Sequence, residues 1–216
     1  MFLFVTAVAG LVVAAAKYPE GRGMDASHEP IRLAVIVGSA RRERLAPAVV
    51  AWFADHLDQR GDMVADVIDL EETVLPQSLD GDTPGVAAYR ARIATADACV
   101  MVVPEYNRSF PGVLKTAIDS CTTEWWAKPV GFVSYGMSVS GGLRAVEQLR
   151  LVMAELHAVG VRDSVCFPRI LDHFDADGFF PCDPEDADSA AKVMLDRLAW
   201  WALTLREGRA RRPYTP

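Results

Sequence analysis

The stretch Ala98-Cys99-Val100-Met101-Val102-Val103-Pro104-Glu105-Tyr106-Asn107-Arg108-Ser109-Phe110-Pro111-Gly112-Val113-Leu114-Lys115-Thr116-Ala117-Ile118-Asp119 decides the fold. Residues 98–103 form an apolar run of the kind buried on both faces of a sheet. The run ends at Pro104, which cannot donate to a central ladder. A polar loop follows, carrying Glu105, Tyr106, Asn107 and Ser109. Pro111 stands where a helix would begin, with Leu114, Ala117 and Ile118 on one face. The pattern is a strand–loop–helix unit. Its polar groups gather at the carboxyl end of the strand, where open α/β sheets bind ligands.

The same unit recurs on either side. Residues 31–37 are β-rich and bounded by Pro30 and Gly38, which predicts the first strand. After the loop 38–44, Pro47 lies in the first turn of a helix, and Val49, Val50, Phe53 and Leu57 recur at helical spacing. Gly61 closes that helix. Residues 63–70 predict a second strand, placed at a sheet edge by Asp66 and Asp69. A loop over 71–85 and a helix over 86–95 follow. A fourth strand is expected over 128–135, closed by Gly136. The next helix carries Leu143, Val146, Leu149, Val152, Met153 and Leu156 on one face and stops at Gly160. A fifth strand over 161–167 ends at Pro168. Residues 169–184 read as irregular, and a last helix runs over 185–207. Such alternation demands right-handed crossovers and a parallel sheet covered on both faces. Five strands in a chain of this size fit a flavodoxin-like three-layer α/β sandwich. The expected strand order, 2-1-3-4-5, is that of flavodoxin itself.

Composition narrows the function. A net charge of -7 gives no basis for nucleic-acid binding. The basic cluster Arg209, Arg211 and Arg212 reads as part of a solvated tail over 209–216. Cys99, Cys121, Cys166 and Cys182 form no Cys-x-x-Cys pair and have no His spacing suited to zinc. That usage fits a reducing, cytoplasmic compartment. Cys121 follows the helix of Asp119 near the ligand end, so it is the one thiol to watch. Asp172, Asp175 and Asp177 superficially suggest calcium, but the twelve-residue spacing with a terminal Glu is missing. His56 and His157 fall on helices as surface or packing residues. Trp125 and Trp126 read as core or subunit contacts.

Residues 1–29 are expected to lie outside the fold, which occupies 30–208. Phe2 to Ala16 is an uninterrupted apolar run, shorter than the about 20 residues of a membrane helix. It has the length of a signal-peptide core and ends in small residues, yet no Lys or Arg precedes it. Residues 1–23 therefore read as an upstream extension, with an export signal as the rival. No membrane association is expected.

Three loops leave the carboxyl ends of strands one, three and four, and this topology brings them to one crevice. The first has the chemistry of an anion site: a helix N-terminus, the Ser39 hydroxyl, and the cations Arg41 and Arg44. A surface loop of solvated arginines is the plainer alternative. Gly-x-Gly-x-x-Gly and the Gly-x-x-x-x-Gly-Lys phosphate loop are both absent. The second loop, 104–109, offers backbone donors and acceptors and the flat face of Tyr106. The third runs from Ser134 through Tyr135, Gly136 and Met137-Ser138-Val139 to Ser140, Gly141 and Gly142. Its glycines let backbone approach a flat ring, and Ser140 is a candidate helix cap.

The wording Pro-Glu-Tyr-Asn-x-Ser-x-Pro-Gly-x-Leu-Lys-x-Ala-Ile-Asp, with Gly-Ser-x-Arg at 38–41 and Ser-Gly-Gly-x-Arg-Ala at 140–145, resembles the NADPH-dependent FMN reductase family over about residues 30–160. The resemblance implies an enzyme that passes hydride from NADPH or NADH to FMN and then to a small-molecule acceptor such as a quinone or azo compound. It implies no catalytic side chain, since the flavin carries the chemistry, and a homodimer or homotetramer. Ser39, Arg41 and Arg44 would meet the phosphate. Pro104, Glu105, Tyr106, Asn107 and Ser109 would lie along the ring edge and ribityl chain. Tyr135, Gly136, Ser140 and Gly141 would close the site. Two positions depart from the family pattern. Arg44 stands where many members carry Ser or Thr, and Met137-Ser138-Val139 replaces a shorter, more glycine-rich turn. Two rivals follow: a flavodoxin-like FMN electron carrier without a nicotinamide site, and a member that kept the fold and lost the cofactor. The basic residues Arg41, Arg42, Arg44 and Arg108 disfavour the carrier.

Overall fold

A computed structural model describes residues 29–78 and 83–215. The expected extension over 1–23 lies outside the described residues. All strands are parallel, in the order β2-β1-β3-β4-β5, with β6 also pairing β4. They are β1 (Ile31–Val37), β2 (Met63–Asp69), β3 (Ala98–Pro104), β4 (Pro129–Tyr135), β5 (Val159–Gly160) and β6 (Val165–Phe167). The helices are α1 (Ala46–Asp58), α2 (Pro84–Thr95), α3 (Gly112–Asp119), α4 (Leu143–Glu155) and α5 (Glu185–Arg211).

Side chains alternate across each strand, so the two faces of the sheet take different residues. Leu33, Val35, Val100, Val102 and Val133 pack beneath Phe53 of α1 and Met194 and Leu198 of α5. Ala34, Ile36, Met101, Val103 and Phe132 pack beneath Ile93 of α2, Leu114 and Ile118 of α3, and Leu149 of α4. β3 and β4 are buried at every position, which explains why their sequences are continuous apolar runs rather than alternating ones. β2, at the edge, is buried only at Met63 and Ile68.

The fifth strand is not continuous. Pro129 pairs with Val159, an offset of 30 residues, whereas Val133 pairs with Val165, an offset of 32. Two extra residues therefore separate β5 from β6. Arg150 of α4 covers the break by donating to the carbonyls of Val161 (2.6 Å) and Arg162 (2.8 Å). The last helix also differs from expectation, running to Arg211 and drawing Arg209 out of the supposed tail. Arg209 donates to the Ala127 carbonyl. One turn earlier, Arg206 pairs with Asp97 at 3.1 Å and reaches the carbonyl of Glu29 at 3.0 Å. Asp97 in turn accepts from the Arg32 N–H at 3.0 Å. The last helix is thus clamped to the amino ends of β1 and β3.

Candidate functional site

β1, β3 and β4 are neighbours in the sheet, so the loops after them lie side by side. The first loop leaves under tight constraint. Gly38 donates to the Val102 carbonyl at 2.9 Å, and a Cβ on Gly38 would sit 3.0 Å from Leu114 Cδ2. Ser39 is buried, with its hydroxyl 2.9 Å from the Tyr106 phenol oxygen. The Arg41 guanidinium lies over the Tyr106 ring, 5.4 Å from its centroid. Ser39, Tyr106 and Arg41 thus join the first two loops. Arg41 and Arg42 are exposed, and neither has an ion-pair partner among the described residues.

Arg44 is placed differently from a loop arginine facing solvent or a phosphate. Its side chain keeps only 9% of its exposure. Its two terminal nitrogens meet the Asp69 carboxylate in a bidentate pair at 2.6 Å each, Glu71 at 2.7 Å, and the Ser39 carbonyl. Burial alone would lower its pKa, but the hydrogen bonds and charge of Asp69 and Glu71 prevail and hold it above the ordinary arginine value. The sequence marks Asp69 only as an edge-strand residue and gives Glu71 no role, because only the pairing of β1 with β2 brings them to the first loop.

The second loop is a hairpin. Tyr106 and Ser109 exchange both backbone hydrogen bonds, at 2.8 and 2.9 Å, leaving Asn107 and Arg108 as a two-residue turn. Both take positive φ, 49° and 67°, as a type I′ turn requires. Gln148 of α4 holds the tip. It accepts from the Ser109 hydroxyl at 2.6 Å and donates to the Arg108 carbonyl at 2.7 Å. Gln148 lies one helical turn beyond Arg144 on the same face, a spacing that is visible in the sequence.

Glu105 faces the third loop. Its side chain is 7% exposed and pairs with Arg144 at 2.8 Å, while its other oxygen accepts from the Ser140 hydroxyl at 2.8 Å. Burial would raise the carboxyl's pKa. The hydrogen bonds from Arg144 and Ser140 outweigh it and hold the group below the usual carboxylate range. Ser140 therefore does not cap α4 with its side chain. The cap is Gly142, at φ 90°, where a Cβ would fall 2.7 Å from Ser134 Cβ and 2.8 Å from the Tyr135 nitrogen. Only glycine fits that turn. β6 pins the loop from the other side: Gly136 donates to Phe167, and Arg169 to Ser138. Tyr135 is buried, and burial pushes its phenol well above its ordinary pKa. Met137 and Val139 project to solvent, 66% and 73% exposed.

The remaining candidates fall away from the site. Cys121 is buried and its thiol pushed up to about 12 by that burial, which is unsuited to a nucleophile. His56 lies tilted against Trp52, ring centroids 4.7 Å apart, and meets Asp188 at 3.1 Å. His173 hydrogen-bonds the Pro168 carbonyl rather than a carboxylate. Among the described residues no cluster of His, Cys, Asp or Glu is arranged to hold a metal. Trp125 is core, with its indole N–H on the Ile118 carbonyl. A cavity of about 500 Å³ lies at the opposite end of the sheet, lined by Pro30, Leu33, Ala65 and Arg92, away from these loops. Among the described residues no helix is long and apolar enough to cross a membrane.

A doubly wound parallel sheet with the loops after β1, β3 and β4 side by side at its carboxyl end defines the flavodoxin-like class of protein. The model of the NADPH-dependent FMN reductase family matches residues 31–172, and the chain belongs to that family. It is 32% identical over 179 residues to a 2-hydroxy-1,4-benzoquinone reductase of a Burkholderia species, covering 79% of this chain and 96% of that protein. It is 33% identical over 134 residues to an NAD(P)H-dependent FMN reductase of Schizosaccharomyces pombe, covering 56% of this chain and 64% of that one. Among solved structures it resembles FerB, a flavoenzyme NAD(P)H:(acceptor) oxidoreductase from Paracoccus denitrificans. The TM-score is 0.66 and the identity 26%, over 81% of this chain and 98% of FerB.

Proposed function

We propose that the protein is an NAD(P)H-dependent FMN reductase acting on a quinone, azo compound or similar small acceptor. The donor set suits FMN. Arg41 and Arg42 are exposed cations ahead of α1, without an ion-pair partner among the described residues, and with the Ser39 hydroxyl they would hold a phosphate. Pro104, Glu105, Tyr106, Asn107 and Ser109 present main chain and a flat phenol along a ring edge. Tyr135, Gly136, Ser140 and Gly141 would bound the ring on the β4 side. Arg44 remains part of this loop as a support, since its donors are taken up by Asp69, Glu71 and Ser39.

FMN, when bound, supplies the chemistry: hydride acceptance from a nicotinamide and its return to an acceptor. The protein's task is placement. The Gln148 contacts fix the hairpin tip, so the ring edge meets preformed donors. Glu105 holds the β3 and β4 loops at one spacing through Arg144 and Ser140. The observation that carries this reading is the union of the first two loops through Ser39 and Tyr106 beside the exposed Arg41.

Met137, Val139 and Leu143 leave apolar surface at the mouth of the site, which supports a homodimer or homotetramer covering it. Light scattering of the purified chain tests that. Four free cysteines support a reducing, cytoplasmic setting. The functional test is an absorbance spectrum of the full chain mixed with FMN and desalted, then treated anaerobically with NADPH and NADH. Flavin bands that stay and bleach with a nicotinamide are expected. Retained flavin that ignores both nucleotides would mark a carrier. With no flavin retained, nicotinamide oxidation with free FMN would make flavin a substrate. No oxidation either would end the enzyme reading.

A further inference from the structure

We infer that Arg44, Asp69 and Glu71 form a positioning strut that sets the shape of the phosphate loop, and that Arg44 is not itself a phosphate ligand. The inference rests on the FMN reading above. An arginine has five N–H donors, four of them on its terminal nitrogens. In Arg44 three of these hydrogen-bond an acceptor: Nη1 donates to Asp69 Oδ1 and the Ser39 carbonyl, and Nη2 to Asp69 Oδ2, while Nη2 also lies 2.7 Å from Glu71 Oε2 as an ion pair. The fork of Nη1 and Nη2 is closed on the Asp69 carboxylate, so that fork is not offered to a phosphate. Asp69 is itself fixed, because its Oδ1 also accepts the Glu71 backbone N–H at 3.0 Å.

The bond to the Ser39 carbonyl gives the strut its purpose. Ser39 is the residue whose hydroxyl meets Tyr106, and its carbonyl is held from the opposite side by Arg44. Ser39 is thus gripped at both ends, and Arg41, two residues on, is left over the Tyr106 ring. The strut ties this loop to the end of β2, the one neighbouring strand that supplies no ligand loop. A serine or threonine at position 44 could not span to Asp69 and Glu71 together.

Charge makes the inference testable by sign. Asp69 and Glu71 are anions beside a loop meant for an anion. Removing one negative charge would tighten phosphate binding if charge alone mattered, or if it released Arg44 to the phosphate. If the strut positions the loop, the same change weakens binding.

The experiment compares FMN with riboflavin, which lacks the phosphate, by fluorescence titration of the full-length wild type, Asp69→Asn and Glu71→Gln. Wild type is expected to bind FMN more tightly than riboflavin. Asp69→Asn should weaken FMN about tenfold, or about 1.4 kcal/mol, and leave riboflavin unchanged. Glu71→Gln alters a half-exposed residue, and should weaken FMN two- to threefold, about 0.4–0.65 kcal/mol, with riboflavin again unchanged. Tighter FMN binding in either variant would overturn the strut in favour of a charge brake. Unchanged FMN binding, or equal weakening of both flavins, would also overturn it. A wild type that does not distinguish the two flavins would refute the phosphate-loop reading, and the strut with it.

Discussion

Replacing Glu105 with glutamine removes one charge and little else, so its consequences can be worked out in advance. The carboxylate accepts one hydrogen bond from Arg144 and one from Ser140, both at 2.8 Å. A charge-assisted hydrogen bond contributes about 1.5–3 kcal/mol and a neutral one about 1 kcal/mol. Arg144 is 39% exposed, so solvent screening places its share at the low end. Glu105→Gln should therefore cost about 1 kcal/mol at neutral pH, lowering the melting temperature by about 2–4 °C for a domain of this size. The pH dependence carries the sign. The folded carboxyl titrates below its ordinary value of 4.5, so its stabilisation is fully present above that value and is lost as pH falls through the folded pKa. Urea unfolding of both proteins at about pH 7, 5.5 and 3 should show a gap that is nearly constant at the first two and closes toward the third. A gap that stays constant, or widens on acidification, would refute the account of Glu105 as an ionised tie between two loops.

Four further outcomes are expected. Gly142→Ala places a Cβ at φ 90° and 2.7 Å from Ser134 Cβ. It should cost more than about 2 kcal/mol, seen as a fall of roughly 4–8 °C in melting temperature, and loosen flavin with it. In native protein at mildly alkaline pH, an aromatic disulfide reagent should label the exposed Cys182 first, with Cys99 and Cys121 silent until unfolding. Cys121→Ala should keep full reductase activity, and a large loss would revive a role for that thiol. Arg41→Ala should raise the FMN dissociation constant by about tenfold and flatten its dependence on salt, as expected for an exposed cation facing a phosphate.

The fold was legible because its signals are local. The apolar run over 98–103 and the proline after it mark a central strand without any knowledge of its neighbours. The family followed from the wording of the loops that flank such runs, and the strand order was that of flavodoxin rather than one read from residues. What stayed hidden depends on pairings remote in sequence. Val161 to Phe167 looks like one strand, since its ends are apolar; the break appears only when Val159 and Val165 are seen against β4 at different offsets. Ser140 has the chemistry of a helix cap, but Glu105, 35 residues earlier, takes its hydroxyl. Arg44 looks free until β2 brings Asp69 beside it. Arg108 in a type I′ turn runs against residue preference, and nothing in the local sequence announces it. Arg209 belongs to a helix rather than a tail because a carbonyl at the foot of β4 receives it.

The clamp between α5 and the feet of β1 and β3 has a consequence for biosynthesis. Leu33, Val35, Val100 and Val102 are covered on one face partly by Met194, Leu195, Leu198 and Ala202, residues made after every strand of the sheet. A ribosome that has finished β6 has released a sheet clothed on one side and half-bare on the other. Until α5 emerges, that surface is open to chaperones or to another nascent chain. Loss of the turn bearing Arg206 and Arg209 would therefore be felt as poor yield and aggregation during expression, even though it lies at the far end of the molecule from the site.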